Sequence, residues 1–167
     1  MAVKEMTLGD GSPAPWIAFG TGTALYNQPA KDAVLLAINR GFKHLDGAQV
    51  YNNEDSLGDA IVASGKKRED LYITTKLFKL DPGTSVIQSL QTSLKNLKVE
   101  YVDLFLIHMP AQFSNASMTL GEVWKGMVEA KKQGLAKSIG VSNFSVKHLE
   151  EVRSTGLEMP AVNQASY

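Results

Sequence analysis

Short β-rich runs alternate with amphipathic helical patterns along most of this 167-residue chain, and this alternation limits the folds open to it. The run Val102–Ile107 is mostly apolar rather than alternating, which is typical of a parallel strand covered on both faces. Strand, helix and strand repeated in this order imply right-handed βαβ units, and hence a parallel sheet. Six strands are predicted, at residues 17–20, 43–46, 71–76, 102–107, 136–141 and 161–164.

Five amphipathic helices are predicted between and after these strands. The first begins near Pro29 and ends at Gly41, which can adopt the left-handed conformation that closes a helix. The third opens with Asp81 as its cap and Pro82 behind it, and the fifth is capped by Ser145. The second and fourth are predicted at about residues 54–64 and 120–128.

Four polar residues fall at the C-terminal ends of successive predicted strands, and they are Asp46, Tyr51, Lys76 and His108. In a parallel barrel or an open α/β sheet, these ends share the edge where loops gather and reacting groups converge. A tyrosine hydroxyl is a poor acid at neutral pH, since its reference pKa is about 10, but a nearby ammonium favours the phenolate. A carboxylate can hold that ammonium in place, and a neutral histidine can orient a substrate oxygen. The set predicts proton donation to a carbonyl oxygen as hydride reaches the carbon.

Two parallel architectures fit the alternation: a doubly wound open sheet and a (β/α)8 barrel. A dinucleotide-binding open sheet would need Gly-x-Gly-x-x-Gly at its first turn, but the run that begins at Gly20 has Leu25 in place of the third glycine. A barrel instead predicts functional residues from several strand ends. We therefore predict an α/β fold of the (β/α)8 TIM-barrel type, incomplete because six strands are readable where eight are required, after an N-terminal hairpin that turns at Asp10-Gly11. Residues 1–167 are expected to form a single partial barrel domain that lacks the C-terminal strands.

Composition and charge exclude several functional classes. Lys plus Arg and Asp plus Glu both number 17, so no global field favours nucleic acid or an anionic membrane as partner. The chain has no cysteine, and no His or carboxylate cluster has ligand spacing, so no metal is predicted. No apolar run is long enough to cross a bilayer, and a cytoplasmic location is expected. A hydrolase on a similar sheet is a further alternative, although no Gly-x-Ser-x-Gly turn is present.

Several ordered blocks of the sequence resemble those of the aldo-keto reductases. The run from Gly41 to Ala48, followed by Tyr51-Asn52-Asn53-Glu54 and Leu57-Gly58, is similar to the family's first signature. Further blocks match in the same order, and they are Thr75-Lys76-Leu77, Leu106-Ile107-His108, Ile139-Gly140-Val141-Ser142-Asn143-Phe144 and Pro160-Ala161-Val162-Asn163-Gln164. The resemblance covers essentially all of this chain but about the first two thirds of a family member, for a complete barrel of roughly 250 residues.

The resemblance implies reduction of an aldehyde or ketone to an alcohol, with NADPH as hydride donor and a small-molecule carbonyl compound as substrate. Tyr51 is implied as the general acid, and Lys76 and Asp46 as the pair that tunes it. His108 is implied as the residue that orients the carbonyl. The strands and loop that clamp the cofactor's diphosphate and 2′-phosphate are expected to be missing. A truncated, weakly active or inactive enzyme is therefore expected, with a non-catalytic binding or regulatory subunit as the alternative.

The same resemblance extends to the cofactor and to the substrate pocket. Asp46 is implied to approach the nicotinamide ribose as well. The residues implied to bind the nicotinamide carboxamide are Ser142, Asn143 and Gln164. Phe78 stands where family members often carry tryptophan beside the substrate, and Ser166 stands where an acidic residue is common. The two open edges of the incomplete barrel predict self-association, because unpaired strand edges attract further strands.

Overall fold

A computed structural model describes residues 4–113 and 118–165 of the chain, so Ser166 lies outside the described residues. The chain begins with an antiparallel hairpin of β1 (Glu5–Thr7) and β2 (Pro13–Pro15). Gly11 has a φ of 85°, in the left-handed region that favours glycine, and its N–H donates to the carbonyl of Leu8 at 3.0 Å. The predicted hairpin and its turn are confirmed.

Within the described residues, six further strands form one parallel sheet in sequential order, and five α-helices lie in the connections. The strands are β3 (Ala18–Gly20), β4 (His44–Asp46), β5 (Tyr72–Leu77), β6 (Val102–Ile107), β7 (Ala136–Ser142) and β8 (Asn163–Gln164). The helices are α1 (Lys31–Asn39), α2 (Glu54–Ala63), α3 (Val86–Leu97), α4 (Leu120–Lys132) and α5 (Val146–Arg153). The predicted order of six parallel strands and five helices is confirmed, with β8 shorter than expected.

The predicted start of the third helix is wrong. Asp81 does not cap it, because Asp81 instead accepts a backbone hydrogen bond from Thr84 in a turn that Gly83 completes with a φ of 80°. The cap is Ser85, whose hydroxyl accepts from the N–H of Gln88 while the Gln88 side chain accepts from the N–H of Ser85. This reciprocal pair satisfies two backbone N–H groups that have no partner within the helix. A lone aspartate before proline cannot satisfy both.

The main hydrophobic core lies between the sheet and its helices. Phe105 and Ile107 of β6 point toward the helices and are fully buried, as is Trp124 of α4. Leu104 and Leu106 point to the opposite face of the sheet. There they pack with residues of the hairpin and of the β8 approach, namely Leu8, Ala14 and Ala161. The hairpin therefore covers the amino ends of the strands on the concave face.

The sheet is strongly curled. In the sheet order, β4 and β8 are separated by three strands, which in a flat sheet would put them about 19 Å apart at ordinary strand spacing. The Gln164 side chain on β8 nevertheless donates to the carboxylate of Asp46 on β4 at 3.0 Å. Only a sheet that bends toward closure can bring these strands together. The architecture is thus a curled half-barrel, and β3 and β8 each pair with one neighbour among the described strands.

Candidate active site

The polar residues predicted from the strand ends lie at one mouth of the half-barrel. Asp46 is the last residue of β4, Lys76 lies near the end of β5, and His108 directly follows β6. Because the strands are parallel, their carboxyl ends meet at one edge of the sheet. Because successive side chains of a strand point to opposite faces of the sheet, Asp46 and Lys76 both point into the concave space.

Lys76 is the centre of the site, and its side chain is only 2% exposed. Its ammonium forms an ion pair with the carboxylate of Asp46 and donates to the carbonyl oxygen of Gly47 at 2.9 Å. The third contact, at 3.5 Å, is to the hydroxyl oxygen of Tyr51. Three donors thus meet three oxygens, which is how a buried ammonium avoids a large desolvation cost.

Tyr51 is positioned by a short 3-10 turn, Gln49–Tyr51, that precedes α2. Asn52 ends this turn in the left-handed conformation, with a φ of 52°. The ring of Tyr51 packs edge to face with the imidazole of His108, their centroids 5.5 Å apart. A Cβ built on Gly22 would fall 2.8 Å from Cζ of Tyr51. The ring can therefore occupy this position only because Gly22 has no side chain. The loop after β3 therefore shapes the position of the phenol.

That loop is tied to the start of α2 by a buried amide. The side chain of Asn53 donates to the carbonyl oxygens of Thr21 at 3.0 Å and Leu25 at 2.7 Å. Asn53 is 1% exposed, so these contacts are shielded from water. The tie keeps Gly22 against Tyr51. Neither Asn53 nor Gly22 stands out in the sequence as a site residue, because their roles depend on contacts between separate loops.

His108 is half-buried at the mouth. Burial and the neighbouring Lys76 ammonium lower the pKa of His108 to about 4, although Asp46 acts in the opposite direction. The imidazole is therefore neutral at physiological pH. Among the described residues, its buried Nδ1 has no hydrogen-bond partner. The ring of Phe78, which follows β5, lies against the imidazole with centroids 6.2 Å apart.

The residues predicted to contact a cofactor lie beside this group. The Ser142 hydroxyl at the end of β7 donates to the carbonyl oxygen of Gln164 at 2.6 Å. The side-chain amide of Asn143 donates to the carbonyl oxygen of His108 at 3.2 Å, and Asn143 itself has a φ of 60°. Gln164 in turn reaches Asp46. Hydroxyl and amide groups thus line the same mouth as the charged pair.

Two buried titratable residues near the site were not assigned a site role by sequence reasoning. Burial raises the pKa of Glu54, and its carboxylate accepts from the hydroxyl of Thr75, the neighbour of Lys76, at 2.6 Å. His44 lies within β4, and a ring nitrogen meets the Thr74 hydroxyl at 2.8 Å. Burial lowers the pKa of His44. Both lie in blocks that resemble the family's first signature, but their positions under the mouth depend on register and curl.

Comparison with known proteins matches this arrangement to one family. The profile of the Aldo/keto reductase family matches residues 16–167. An aldo-keto reductase of Mycolicibacterium vanbaalenii is 40% identical over 164 residues, which are 98% of this chain and 57% of that protein. An aldo-keto reductase of a Mycobacterium strain is 38% identical over 97% of this chain and 56% of its own length. The chain thus spans somewhat more than half the length of these relatives.

Solved structures agree with the sequence relatives. The crystal structure of an aldo/keto reductase from Brucella melitensis superimposes with a TM-score of 0.88 at 37% identity, covering 99% of this chain and 64% of that one. The Bombyx mori aldo-keto reductase AKR2E4, solved in complex with NADP, gives a TM-score of 0.87 at 36% identity, covering 100% and 59%. The profile match, the relatives and the curled sheet agree: this chain belongs to the aldo/keto reductase family.

Proposed function

We propose that this chain carries the catalytic mouth of an NADPH-dependent carbonyl reductase, which reduces aldehydes or ketones to alcohols with Tyr51 as the general acid. The observation that carries the proposal is the contact of the Tyr51 hydroxyl with the buried Lys76 ammonium, opposite a neutral His108. Membership of the aldo/keto reductase family supports oxidoreductase chemistry on carbonyl compounds. Residues 1–167 are proposed to act as one domain, since one parallel sheet carries every proposed site residue or its adjoining loop.

The protein's own groups supply the proton side of the reaction. The Tyr51 oxygen accepts a hydrogen bond from Lys76, so its hydroxyl proton is left to point toward the mouth. As negative charge develops on the substrate oxygen, Tyr51 donates this proton to it. The phenolate that remains is stabilised by the Lys76 ammonium, which Asp46 holds in position.

His108 and Phe78 orient the substrate. A neutral imidazole can donate a hydrogen bond to the carbonyl oxygen without adding a charge that would compete with Tyr51 for the proton. The Phe78 ring beside it supplies an apolar wall for the part of the substrate attached to the carbonyl carbon. Both groups converge on the same side of the mouth as Tyr51.

The donor set at the mouth fits a nicotinamide cofactor. A carboxamide both donates and accepts hydrogen bonds, and so do the hydroxyl and amide groups of Ser142, Asn143 and Gln164. The carboxylate of Asp46 can accept from ribose hydroxyls. When bound, the reduced nicotinamide supplies the hydride for the carbonyl carbon. The family relative solved with NADP supports this choice of cofactor.

The proposal is tested by NADPH oxidation with an aromatic aldehyde and by NADPH binding, for the wild-type chain, Tyr51→Phe and Tyr101→Phe. Tyr101 is a matched control, because its ring stacks on Arg68 away from the mouth. We expect Tyr51→Phe to lose about 10²- to 10⁴-fold in kcat with unchanged NADPH affinity. Equal rates for wild type and Tyr51→Phe would remove the assignment of the general acid. NADPH binding without turnover in the wild type would support the non-catalytic alternative.

We also propose that two copies of the chain associate through the sheet edges. Strands β3 and β8 each have one partner among the described strands, and Trp16 and Ile17 beside β3 are more than half exposed. Exposed edge strands with apolar flanks are templates for further pairing. Analytical ultracentrifugation is expected to detect a dimer that Ile17→Lys weakens, whereas a monomer at all concentrations would contradict this proposal.

A further inference from the structure

A single glutamine side chain joins the two walls of the mouth. The Oε1 atom of Gln49 accepts from the backbone N–H of Phe78 at 3.0 Å. Its Nε2 donates to the hydroxyls of Ser89 at 2.9 Å and Ser93 at 3.0 Å, both on α3. Gln49 opens the 3-10 turn that carries Tyr51. One amide therefore links the turn of Tyr51 to the segment of Phe78 and to α3.

The contacts of Gln49 continue toward Lys76. Ser93 is 1% exposed, and its hydroxyl acts to lower the pKa of the neighbouring Glu54 carboxyl against the raising effect of burial. That carboxylate accepts from Thr75, which directly precedes Lys76 on β5. A chain of polar contacts thus runs from Phe78 through Gln49, Ser93 and Glu54 to β5. Buried networks of this kind fix the geometry of the elements that they connect.

Packing alone does not hold the Phe78 segment. A groove of about 560 Å³ lies between the 3-10 turn, this segment and α3, and its walls include Gln49, Phe78 and Ser93. Beyond Phe78, the residues Lys79, Asp81 and Pro82 are exposed. Leu80 packs against the main core, but on the groove side the segment has no close-packed neighbours, so hydrogen bonds help to decide where it lies.

We propose that Gln49 is a positioning residue, which holds the Phe78 ring over His108 and the Tyr51 turn against β5, and thereby sets how the mouth discriminates between carbonyl substrates. The inference rests on the proposed function for its consequence, but its geometry can be tested without turnover. Gln49 touches no reacting atom in this scheme. It acts through Phe78 and Tyr51.

The test compares Gln49→Met with Gln91→Met, which makes the same change on the exposed face of α3. Methionine fills similar space but neither accepts from Phe78 nor donates to the serines. We expect the Phe78 amide proton to exchange with solvent about ten-fold faster in Gln49→Met and at the wild-type rate in Gln91→Met. Unchanged exchange in Gln49→Met would overturn the proposal.

A second readout follows the imidazole under the Phe78 ring by NMR. The pKa of His108 is held at about 4 largely by burial, so a displaced ring exposes the imidazole to water. We expect the pKa of His108 to rise toward its ordinary value of about 6.5 in Gln49→Met and to stay low in Gln91→Met. A purely structural role for Gln49 would lower stability and leave this titration unchanged, which would also overturn the proposal.

Kinetics test the consequence for specificity. Gln49→Met is expected to reduce the ratio of kcat/KM for an aromatic over a small aliphatic aldehyde by about three- to ten-fold, because the aromatic substrate loses its fixed wall. An unchanged ratio would contradict the specificity role. If the wild-type chain reduces neither aldehyde, the proposed function fails, while the exchange and titration results still decide whether Gln49 positions Phe78 and His108.

A milder variant covers the case in which Gln49→Met does not fold. Ser89→Ala combined with Ser93→Ala removes the two hydroxyl partners of Gln49 Nε2 but leaves Gln49 and its bond to Phe78 in place. The same increase in Phe78 exchange and the same rise in the pKa of His108 are expected, at smaller amplitude. Wild-type behaviour in this double variant would count against the proposal.

Discussion

The two ends of the half-barrel both contain a buried carboxylate with cationic partners, but they use it differently. At the amino end, Asp103 accepts from Arg68 at 2.6 Å, Lys137 at 3.0 Å and the N–H of Ile73 at 2.9 Å. At the carboxyl end, Asp46 binds Lys76, whose ammonium also reaches the hydroxyl of Tyr51.

The difference lies in what the cations touch next. Arg68 stacks on Tyr101 and donates to backbone carbonyl oxygens, so the amino-end charges connect chain segments to one another. Lys76 instead directs its charge at a side chain that opens on the mouth. A carboxylate saturated by the chain stabilises a fold, whereas a carboxylate that fixes a cation beside a proton donor can support chemistry.

The largest effect is expected when one lysine is replaced at each end of the half-barrel. Lys76→Met should lower kcat/KM by about 10³-fold, because the phenolate loses its stabilising charge, whereas Lys137→Met should keep wild-type activity. Lys76→Met also leaves Asp46 buried without its cation, which should cost about 3 kcal/mol or more in the free energy of unfolding. NADPH oxidation and urea unfolding measure both quantities. Equal activity of the two variants would erase the contrast.

The reverse contrast is expected when the amino-end carboxylate is removed. Asp103→Ala leaves the N–H of Ile73 without its acceptor and Arg68 without its carboxylate partner, so the free energy of unfolding should fall by about 3 kcal/mol. Activity per folded molecule should stay near that of the wild type, because Asp103 is remote from the mouth. Urea unfolding combined with active-site kinetics tests this. Asp59→Ala, at an exposed pair with Lys98, is the control and should leave stability nearly unchanged.

A smaller and local change should affect the mouth alone. The added methyl group in Gly22→Ala would displace the Tyr51 ring, and we expect kcat to fall about ten-fold. Gly20→Ala is the matched control, because a Cβ on Gly20 has nothing within 4 Å. Both variants should unfold close to the wild-type urea midpoint. Equal kcat values would mean that the close approach of Gly22 to Tyr51 does not fix the phenol.

The last expected effect is a pH dependence of stability from the carboxyl end. The pKa of His108 is lowered to about 4 in the folded chain and is about 6.5 when unfolded, so between these values the unfolded chain binds more protons. The free energy of unfolding should therefore fall as the pH is lowered through this window. His108→Gln should reduce the slope, which urea midpoints across the window measure. His44 is also buried with a lowered pKa, so it should account for the histidine part of the pH dependence that remains in His108→Gln.

Local chemistry explains how far the fold can be predicted. The bounds of β6 and the end of α1 at Gly41 follow from an apolar run and from a left-handed terminator, both of which are properties of neighbouring residues. The predicted start of α3 is wrong because two polar residues, Asp81 and Ser85, could each cap a helix. The reciprocal bond with Gln88 favours Ser85, and the Ser-x-x-Gln pattern that forms it is present in the sequence.

By itself, the sequence determined the order of strands and helices, and hence the edge of the sheet at which Asp46, Lys76 and His108 lie, because strand direction and side-chain alternation are local and periodic. Only the tertiary structure decided that Gln49 binds Phe78 and two serines, that Gly22 faces Tyr51, and that Gln164 reaches Asp46 across the curl. These contacts join residues far apart in the chain, with no shared period. Their distances depend on how strongly the sheet bends and how the loops pack, and no short stretch of sequence encodes either.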